Sequence, residues 1–475
     1  MKVLHQNIFA RLANPPGLAA GLLALATVTG LAQTAFLTVP VTTATINRFL
    51  AYPYSYNELQ VAGPLAGFVA LAPASPLAAD IRASILADVA TGTPAAAAAG
   101  TPNFSIVNFP RALDSLSANQ YTMLRFVEFR NTENFFNNID AHLAAVRLGT
   151  QGFSTTGYTT TQPATTTSYP SDGKGVTEGK EAKAPVAPPP PPAQPKFSVW
   201  VTGNGNLGTL DTGGGAGLDR TADDFDFYGG GVLGGIDYKV LPKLAIGLAA
   251  GYEYTHITPK EVLGSAHTQQ VDGELYATYG GPVGLYVNGI VGGGYSWNDV
   301  HREVFGTQAF SSPQAAEFNT HGELGYQIRI NDNLGITPFG QVSYDHLWNS
   351  GATEKGSIEN LDIRHGTADS LRSVAGGKLI FLFNFVGLRL TNTLWGGWQH
   401  EFLQPYYSVN AAIQGFENLG AFETRSARFG HESFTGGAGV SFDVITNVSV
   451  NFNYNVQAND SFMDHFFNLG LGYKF

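Results

Sequence analysis

Residues 448–457 read VSVNFNYNVQ, and residues 466–475 read FFNLGLGYKF. In the first, Val448, Val450, Phe452, Tyr454 and Val456 alternate with Ser449, Asn451, Asn453, Asn455 and Gln457. In the second, Phe467, Leu469, Leu471, Tyr473 and Phe475 alternate with Phe466, Asn468, Gly470, Gly472 and Lys474. Residues 244–255 repeat the pattern, with Leu244, Ile246, Leu248, Ala250, Tyr252 and Tyr254 against Ala245, Gly247, Ala249, Gly251, Glu253 and Thr255. A period of two is the signature of a β-strand. A soluble sandwich alternates too, but its polar face looks outward and is often charged. Here one face is apolar or aromatic, and the other is mostly Gly, Asn, Ser and Thr with sparse charge. That suits an apolar face against lipid and a polar face lining a lumen.

Working outward, the same pattern predicts twelve strands near 197–207, 226–239, 243–257, 268–280, 283–300, 316–330, 334–349, 368–384, 386–402, 432–445, 447–458 and 463–475. Five links are tight: Val240-Leu241-Pro242, Gly281-Pro282, Asn331-Asp332-Asn333, Phe385 and Thr446. Five of the alternate links are long, at 208–225, 258–267, 301–315, 350–367 and 403–431, while 459–462 is short. Short turns alternating with long loops are the pattern of an outer-membrane barrel, with the short turns in the periplasm. Tyr252, Tyr254, Tyr295, Trp297 and Trp348 fall near strand ends, where an aromatic girdle belongs. The fold class read from the sequence is therefore all-β transmembrane: a 12-stranded antiparallel outer-membrane β-barrel, preceded by an α-helix, to which a family resemblance assigns a pore or plug role, and an irregular N-terminal region.

Composition agrees. Of 475 residues only 13% are charged, 12% are aromatic, 57 are Gly and none is Cys. The absence of Cys removes disulfides, zinc–thiolate sites and thiol nucleophiles. The net charge of −11 argues against nucleic acid as a partner. Residues 1–196 carry 12 Lys/Arg and 10 Asp/Glu, whereas residues 197–475 carry 14 and 27. Residues 1–32 read as a secretory signal peptide, with Lys2 and Arg11 before the uncharged run GLAAGLLALATVTGLA. Residues 33–125 form a short passenger-like region, low-complexity in part. Residues 126–149 read as an amphipathic linker helix, in which Phe135, Ile139, Leu143 and Val146 share one face. Residues 150–196 are a Thr/Pro-rich linker, and 197–475 the barrel.

No nucleophile elbow, phosphate loop or His–Glu metal motif occurs. His321, His346 and His400 are scattered over separate strands, so no metal or cofactor is expected. Glu253, Glu274 and Glu323 are more simply read as polarising a wet lumen than as a catalytic cluster. His400 and Glu401 are neighbours in a strand and face opposite ways, so they cannot act as a pair.

From about residue 126 to the end, the chain resembles the autotransporter β-domain of type V secretion. The residues that carry the resemblance are HLAAVRLG ending the helix, GFSTTGY at 152–158, VWVTGNGNLG opening the barrel, ADSLRS at 368–373, WQHEFL at 398–403 and the terminal LGYKF. The resemblance implies a transporter rather than an enzyme: a monomer in the lipid bilayer of a Gram-negative outer membrane that exports or displays its own N-terminal segment. It implies the Sec translocon and the barrel-assembly machinery as partners during biogenesis. Phe467, Leu469, Leu471, Tyr473 and Phe475 would form the assembly signal. It implies that the helix plugs the pore, with Arg147 able to pair with the lumen acids Glu253, Asp272, Glu274, Glu323, Asp345 and Glu401. Arg329, Arg372, Lys378 and Arg389 are the basic lumen candidates. Asn137-Asn138, nine residues before Arg147, is similar to the self-cleavage site of some serine-protease autotransporters, with Asn137 as nucleophile. The competing reading is a structural or pore-forming barrel with little or no passenger.

Overall fold

The computed structural model describes residues 55–61 apart from 59, 109–148, 196–212, and 223–475 apart from 305–306, 358, 387, 416, 418–419, 446 and 475. The signal peptide, most of the passenger-like region, nearly all of the 150–196 linker and Phe475 lie outside the described residues.

Among the described residues, a helical turn within 55–61 is followed by the helices α1 (Phe109–Leu116) and α2 (Asn119–Leu148). The strands follow as β1 (Phe197–Leu210), β2 (Phe225–Leu241), β3 (Leu244–Pro259), β4 (Gly264–Tyr279), β5 (Gly284–Val304), β6 (Thr307–Ser311), β7 (Gln314–Asn331), β8 (Leu334–Asn349), β9 (Ala352–Thr353), β10 (Leu361–Ile363), β11 (Gly366–Phe385), β12 (Leu388–Glu401), β13 (Ser408–Ile413), β14 (Phe422–Arg425), β15 (Glu432–Ile445), β16 (Val448–Ala458) and β17 (Phe462–Lys474). Twelve of them form one antiparallel ring, β1-β2-β3-β4-β5-β7-β8-β11-β12-β15-β16-β17. The β1–β17 ladder, from Ser198 opposite Lys474 to Leu210 opposite Phe462, closes it. In hydrocarbon no water can satisfy a free sheet edge, so closure is what allows this sheet to span.

The alternation holds strand by strand. Phe467, Leu469, Leu471 and Tyr473 face outward and are exposed, while Asp464, Phe466 and Asn468 at the alternate positions of the same strand are buried against the interior. Tyr252, Tyr254, Tyr295, Trp297 and Trp348 are also exposed on the outer face. The tight connections all fall at the end where β1 begins and β17 finishes, and the long ones at the other.

The loops depart from expectation. The expected loop 258–267 shrinks to 260–263, because Ala266, His267 and Thr268 already pair with β3. Gly264 starts β4 at φ 126°, a conformation other residues rarely adopt. The expected loop 301–315 is mostly a hairpin extension in which β5 pairs with β6. The stretches 350–367 and 403–431 are not merely loops. They fold into a second sheet, β14-β13-β10-β9, over the long-loop mouth. Leu361, Val409, Ala411 and Phe422 of that sheet are buried in one cluster with Leu113, Leu116, Tyr121, Leu124 and Phe126 of the helices. These strands are too short to show a period; pairing with one another and burial against the helices hold them.

Changing Leu469 to Arg places a charge on the lipid face and should cost about 2–4 kcal/mol at mid-membrane depth. Denaturant unfolding of the barrel in bilayers measures this. An unchanged midpoint would contradict the face assignment.

Candidate functional site

Helix α2 fills the lumen. Thirty residues at 1.5 Å per residue give it a length of about 45 Å, enough to run through the apolar band. It starts at Asn119, seven residues before the expected boundary, and it is not amphipathic in the ordinary sense. Nearly every residue from Asn119 to Leu148 is buried, polar and apolar alike. A helix enclosed by a polar-lined barrel needs both kinds of contact on its circumference. Its apolar contacts lie to one side: Phe135, Phe136, Ile139 and Leu143 pack against Trp200, Leu233, Ala249, Tyr276 and Ile290 of β1–β5. Phe135 lies against Gly251, where a Cβ would collide with its ring. On the opposite side a cavity of about 100 Å³ remains, lined by Asn137, Asp140, Lys378, Trp395, Asn453 and Asn455 among others.

Polar contacts tie the helix to the wall along its length. At the long-loop end, the Tyr121 hydroxyl donates to Glu354 (2.8 Å) and Arg125 donates to the Ser408 carbonyl. Lower down, Glu128 accepts from Ser296 at 2.5 Å and from Asn298 at 2.9 Å. Arg130 donates to Asp464 (2.6 Å) and Gln457 (2.5 Å). Thr132 donates to Glu317, and Asn131 accepts from Thr255 at 3.1 Å. Further on, His142 meets Asp237 at 2.7 Å and stacks on Trp200, while Asp140 meets His321 at 2.8 Å and accepts from Asn288 at 3.0 Å. Leu148 ends the helix against Ile380, toward the end of the barrel where β11 passes to β12.

The pairing expected for Arg147 is not found. Its guanidinium donates to Thr278 (3.1 Å) and Asn288 and lies 3.8 Å from the Tyr286 ring centre. The helix carries Arg147 past the row of acids to the tight-turn end of β4 and β5, and no ion pair joins it to any of the six. Those acids have other partners. Glu253 accepts from Asn134 (3.5 Å) and Asn204 (3.2 Å), and Asp272 from Gln270 (3.4 Å). Both Glu274 carboxylate oxygens are buried without a hydrogen bond. Glu323 accepts from Lys378 and Tyr286 (each 2.8 Å) and from Gln341 (2.6 Å). Asp345 pairs with Arg372, which also reaches Glu133 on α2. Glu401 accepts from Ser370 (2.6 Å) and from the amides of Leu371 and Leu403, so it holds the long-loop end of the wall rather than the helix. Arg389 is exposed beside the 386–387 turn, and Arg329 pairs with Asp332 at another turn. Neither contributes to the helix-binding lumen, because both lie at the strand ends beyond the helix.

His346 and His400 face outward beside Asp369 and Glu432, while His321 faces the lumen, so the three share no site. Asn137 is half-buried at the cavity, and the Asn138 Oδ1 is buried without a partner; both lie within the unbroken helix. Sequence reasoning missed Glu128, Arg130, Asp140, His142, Asp237 and Asp464. Their signal was available: titratable residues spread around the whole circumference of 126–147 fit a helix enclosed by polar walls, not one resting on a core.

A family model for the autotransporter β-domain matches residues 199–455, more than half of the chain. The chain belongs to the autotransporter β-domain family. An extracellular serine protease of Serratia marcescens is 26% identical over 261 residues, covering 52% of this chain and 23% of that protein. Outer membrane protein A of Rickettsia rickettsii is 25% identical over 279 residues, covering 54% and 12%. The matches thus span less than a quarter of these relatives. Among solved structures, the translocator domain of the autotransporter NalP from Neisseria meningitidis is 16% identical with a TM-score of 0.49, covering 59% of this chain and 88% of that one. The β-domain of the Bordetella autotransporter BrkA is 15% identical with a TM-score of 0.44, covering 59% and 100%. This autotransporter β-domain is a transport barrel of the outer membrane rather than a catalytic domain, and its pore is occupied by the chain that precedes it.

Removing one cation from the plug contacts exposes their weight. Arg372→Met leaves the buried Asp345 without its cation, while the half-buried Glu133 keeps its pairing with Arg130, and should cost about 3–5 kcal/mol. The denaturant midpoint should fall, and conductance across a planar bilayer should rise as the helix loosens. No change in either would contradict the assignment.

Proposed function

We propose that this autotransporter barrel carries its own N-terminal region across the outer membrane and keeps α2 in the pore afterwards as the seal. One observation carries the reading. The helix threads the lumen with its C-terminal end at the tight-turn mouth and its N-terminal end at the long-loop mouth, where Val61, Leu113 and Leu116 join the cluster beneath the loop sheet. With long loops outside the cell, everything before α2 belongs to the exterior. The strand β1 starts at the tight-turn mouth, so the chain between 149 and 195 connects two points on the periplasmic side.

In this reading the chain crosses the inner membrane through the Sec translocon, and the barrel-assembly machinery reads the last strand through Phe467, Leu469, Leu471, Tyr473 and Phe475. The mature barrel acts as a monomer. Residues 33–118, the part of the 33–125 region that precedes α2, are the exported segment, displayed rather than released. Self-cleavage would require Asn137 Nδ2 to bond to its own carbonyl carbon and expel the amino group of Asn138. That carbonyl lies mid-helix, where the backbone is held in helical geometry, and this favours an intact chain.

Protease shaving of intact cells tests the proposal, using an epitope inserted between residues 60 and 100. The epitope should be lost while the barrel stays protected, and untreated barrels should give the mass of an uncut chain from the export segment to the C-terminus. An epitope that survives until the outer membrane is broken would overturn export. It would favour a structural or pore-forming barrel instead.

A further inference from the structure

A short turn before the helices makes contacts that export and plugging do not require. Ser55 caps it. Its hydroxyl accepts from the Glu58 amide at 3.2 Å, and the Glu58 carboxylate accepts from the Ser55 amide at 2.5 Å. This reciprocal pair fixes the start of a helical turn. Asn57, inside that turn, is fully buried. Its Oδ1 accepts from the Arg425 amide at 2.8 Å, and its Nδ2 donates to the Arg425 carbonyl at 2.8 Å and to Asn119 Oδ1 at 3.0 Å. Arg425 ends β14, an edge strand of the mouth sheet. With its side chain, Asn57 supplies the paired bonds that a neighbouring strand would supply with its backbone. The third bond reaches the first residue of α2.

Beside it, the Arg425 guanidinium lies 3.9 Å from the Tyr56 ring centre, and the Tyr56 hydroxyl donates to Glu423 at 2.8 Å. Burial and the neighbouring Glu423 push the Tyr56 hydroxyl up to about 12. Burial works to raise the Glu423 carboxyl, but donation from Arg425 and Tyr56 outweighs it and holds the group below its ordinary value. Both partners thus keep their protonation state across the neutral range. Val61, at the end of the turn, is buried in the same cluster as the mouth sheet and the plug.

We propose that residues 55–61 are a latch that docks the exported N-terminal region onto the β13–β14 sheet of its own barrel, so that this region stays at the mouth even when the chain between 61 and 109 is cut. The partner of the mouth sheet is this chain's own segment, read through the Asn57 amide and the Tyr56 ring. The inference rests on the export reading.

The test uses the full chain in the outer membrane of living cells, with a specific protease site inserted in the run Ala95 to Ala99 and an epitope after Pro40. Protease is added to intact cells. The chain should be cut, and the epitope-bearing fragment should remain with the washed cells. In Asn57→Ala, release into the medium should rise about tenfold or more. Tyr56→Ala, which leaves Asn57 and the plug contacts in place, carries the test if the Asn57→Ala barrel fails to assemble, as judged by its migration without heating. A wild-type fragment that appears in the medium as fully as the Asn57→Ala fragment would overturn the latch. So would variant fragments held as firmly as the wild type. A chain cut only after the outer membrane is opened would instead remove the export reading, and the latch with it.

Discussion

The ladder between β1 and β17 is the constraint from which the rest of the molecule follows. It joins strands 250 or so residues apart in sequence and turns an open sheet, which lipid cannot tolerate, into a closed one. Closure creates a lumen, and a lumen spanning a membrane must be lined with polar groups or filled. This chain does both. Its inner wall carries Glu253, Asp272, Glu274, Glu317, Glu323, Asp345 and Asp464, and α2 brings groups that meet Glu253, Glu317 and Asp464. The buried ion pairs there are not free stabilisation, since each charge loses its water. Their value is in register: Arg130 with Asp464, and Arg372 with Glu133, hold the helix at one depth and one rotation.

The helix is held differently at its two ends. Toward the long loops it sits in a largely apolar cluster closed over by the β14-β13-β10-β9 sheet. Toward the tight turns its apolar contacts thin to Val146 against Ala245 and Leu148 against Ile380, with the cavity alongside, and Arg147 is held by Thr278, Asn288 and the Tyr286 ring. The apolar packing is therefore denser at the mouth where α2 begins than at the mouth where it ends.

Strand content was legible because period 2 is a local property, and lipid outside with polar groups inside writes it strongly, as in Val448–Ala458 and Phe462–Lys474. The expected and observed strand ranges differ by a few residues, chiefly where β4 and β5 continue beyond the membrane. The mouth sheet was not legible. Ala352–Thr353, Leu361–Ile363 and Phe422–Arg425 are too short to show a period, and their pairing with one another and burial against α1 and α2 hold them as strands. Pore contacts were legible by type but not by partner. The inward direction of Glu253, Asp272, Glu323, Asp345 and Arg372 follows from alternation, whereas the depth of α2 does not. That depth decides whether Arg147 meets an acid or, as found, Thr278, Asn288 and the Tyr286 ring. The latch was written as Ser55-x-x-Glu58, a capping-box spacing easily passed over in a region of Ala, Pro and Thr.

The central claim is that α2 rests inside the finished barrel at one register. The chain has no Cys, so thiol chemistry starts from a clean background. Asn131→Cys combined with Thr255→Cys places one thiol on the helix and one on β3, at side chains whose oxygens lie 3.1 Å apart. Mild oxidation or a short thiol–thiol cross-linker on intact cells should join them in most molecules, with normal barrel assembly. Thr202→Cys with Gly470→Cys, directly opposed on β1 and β17, is the positive control. Efficient cross-linking in the control but none between residues 131 and 255 would show that the helix does not occupy the pore.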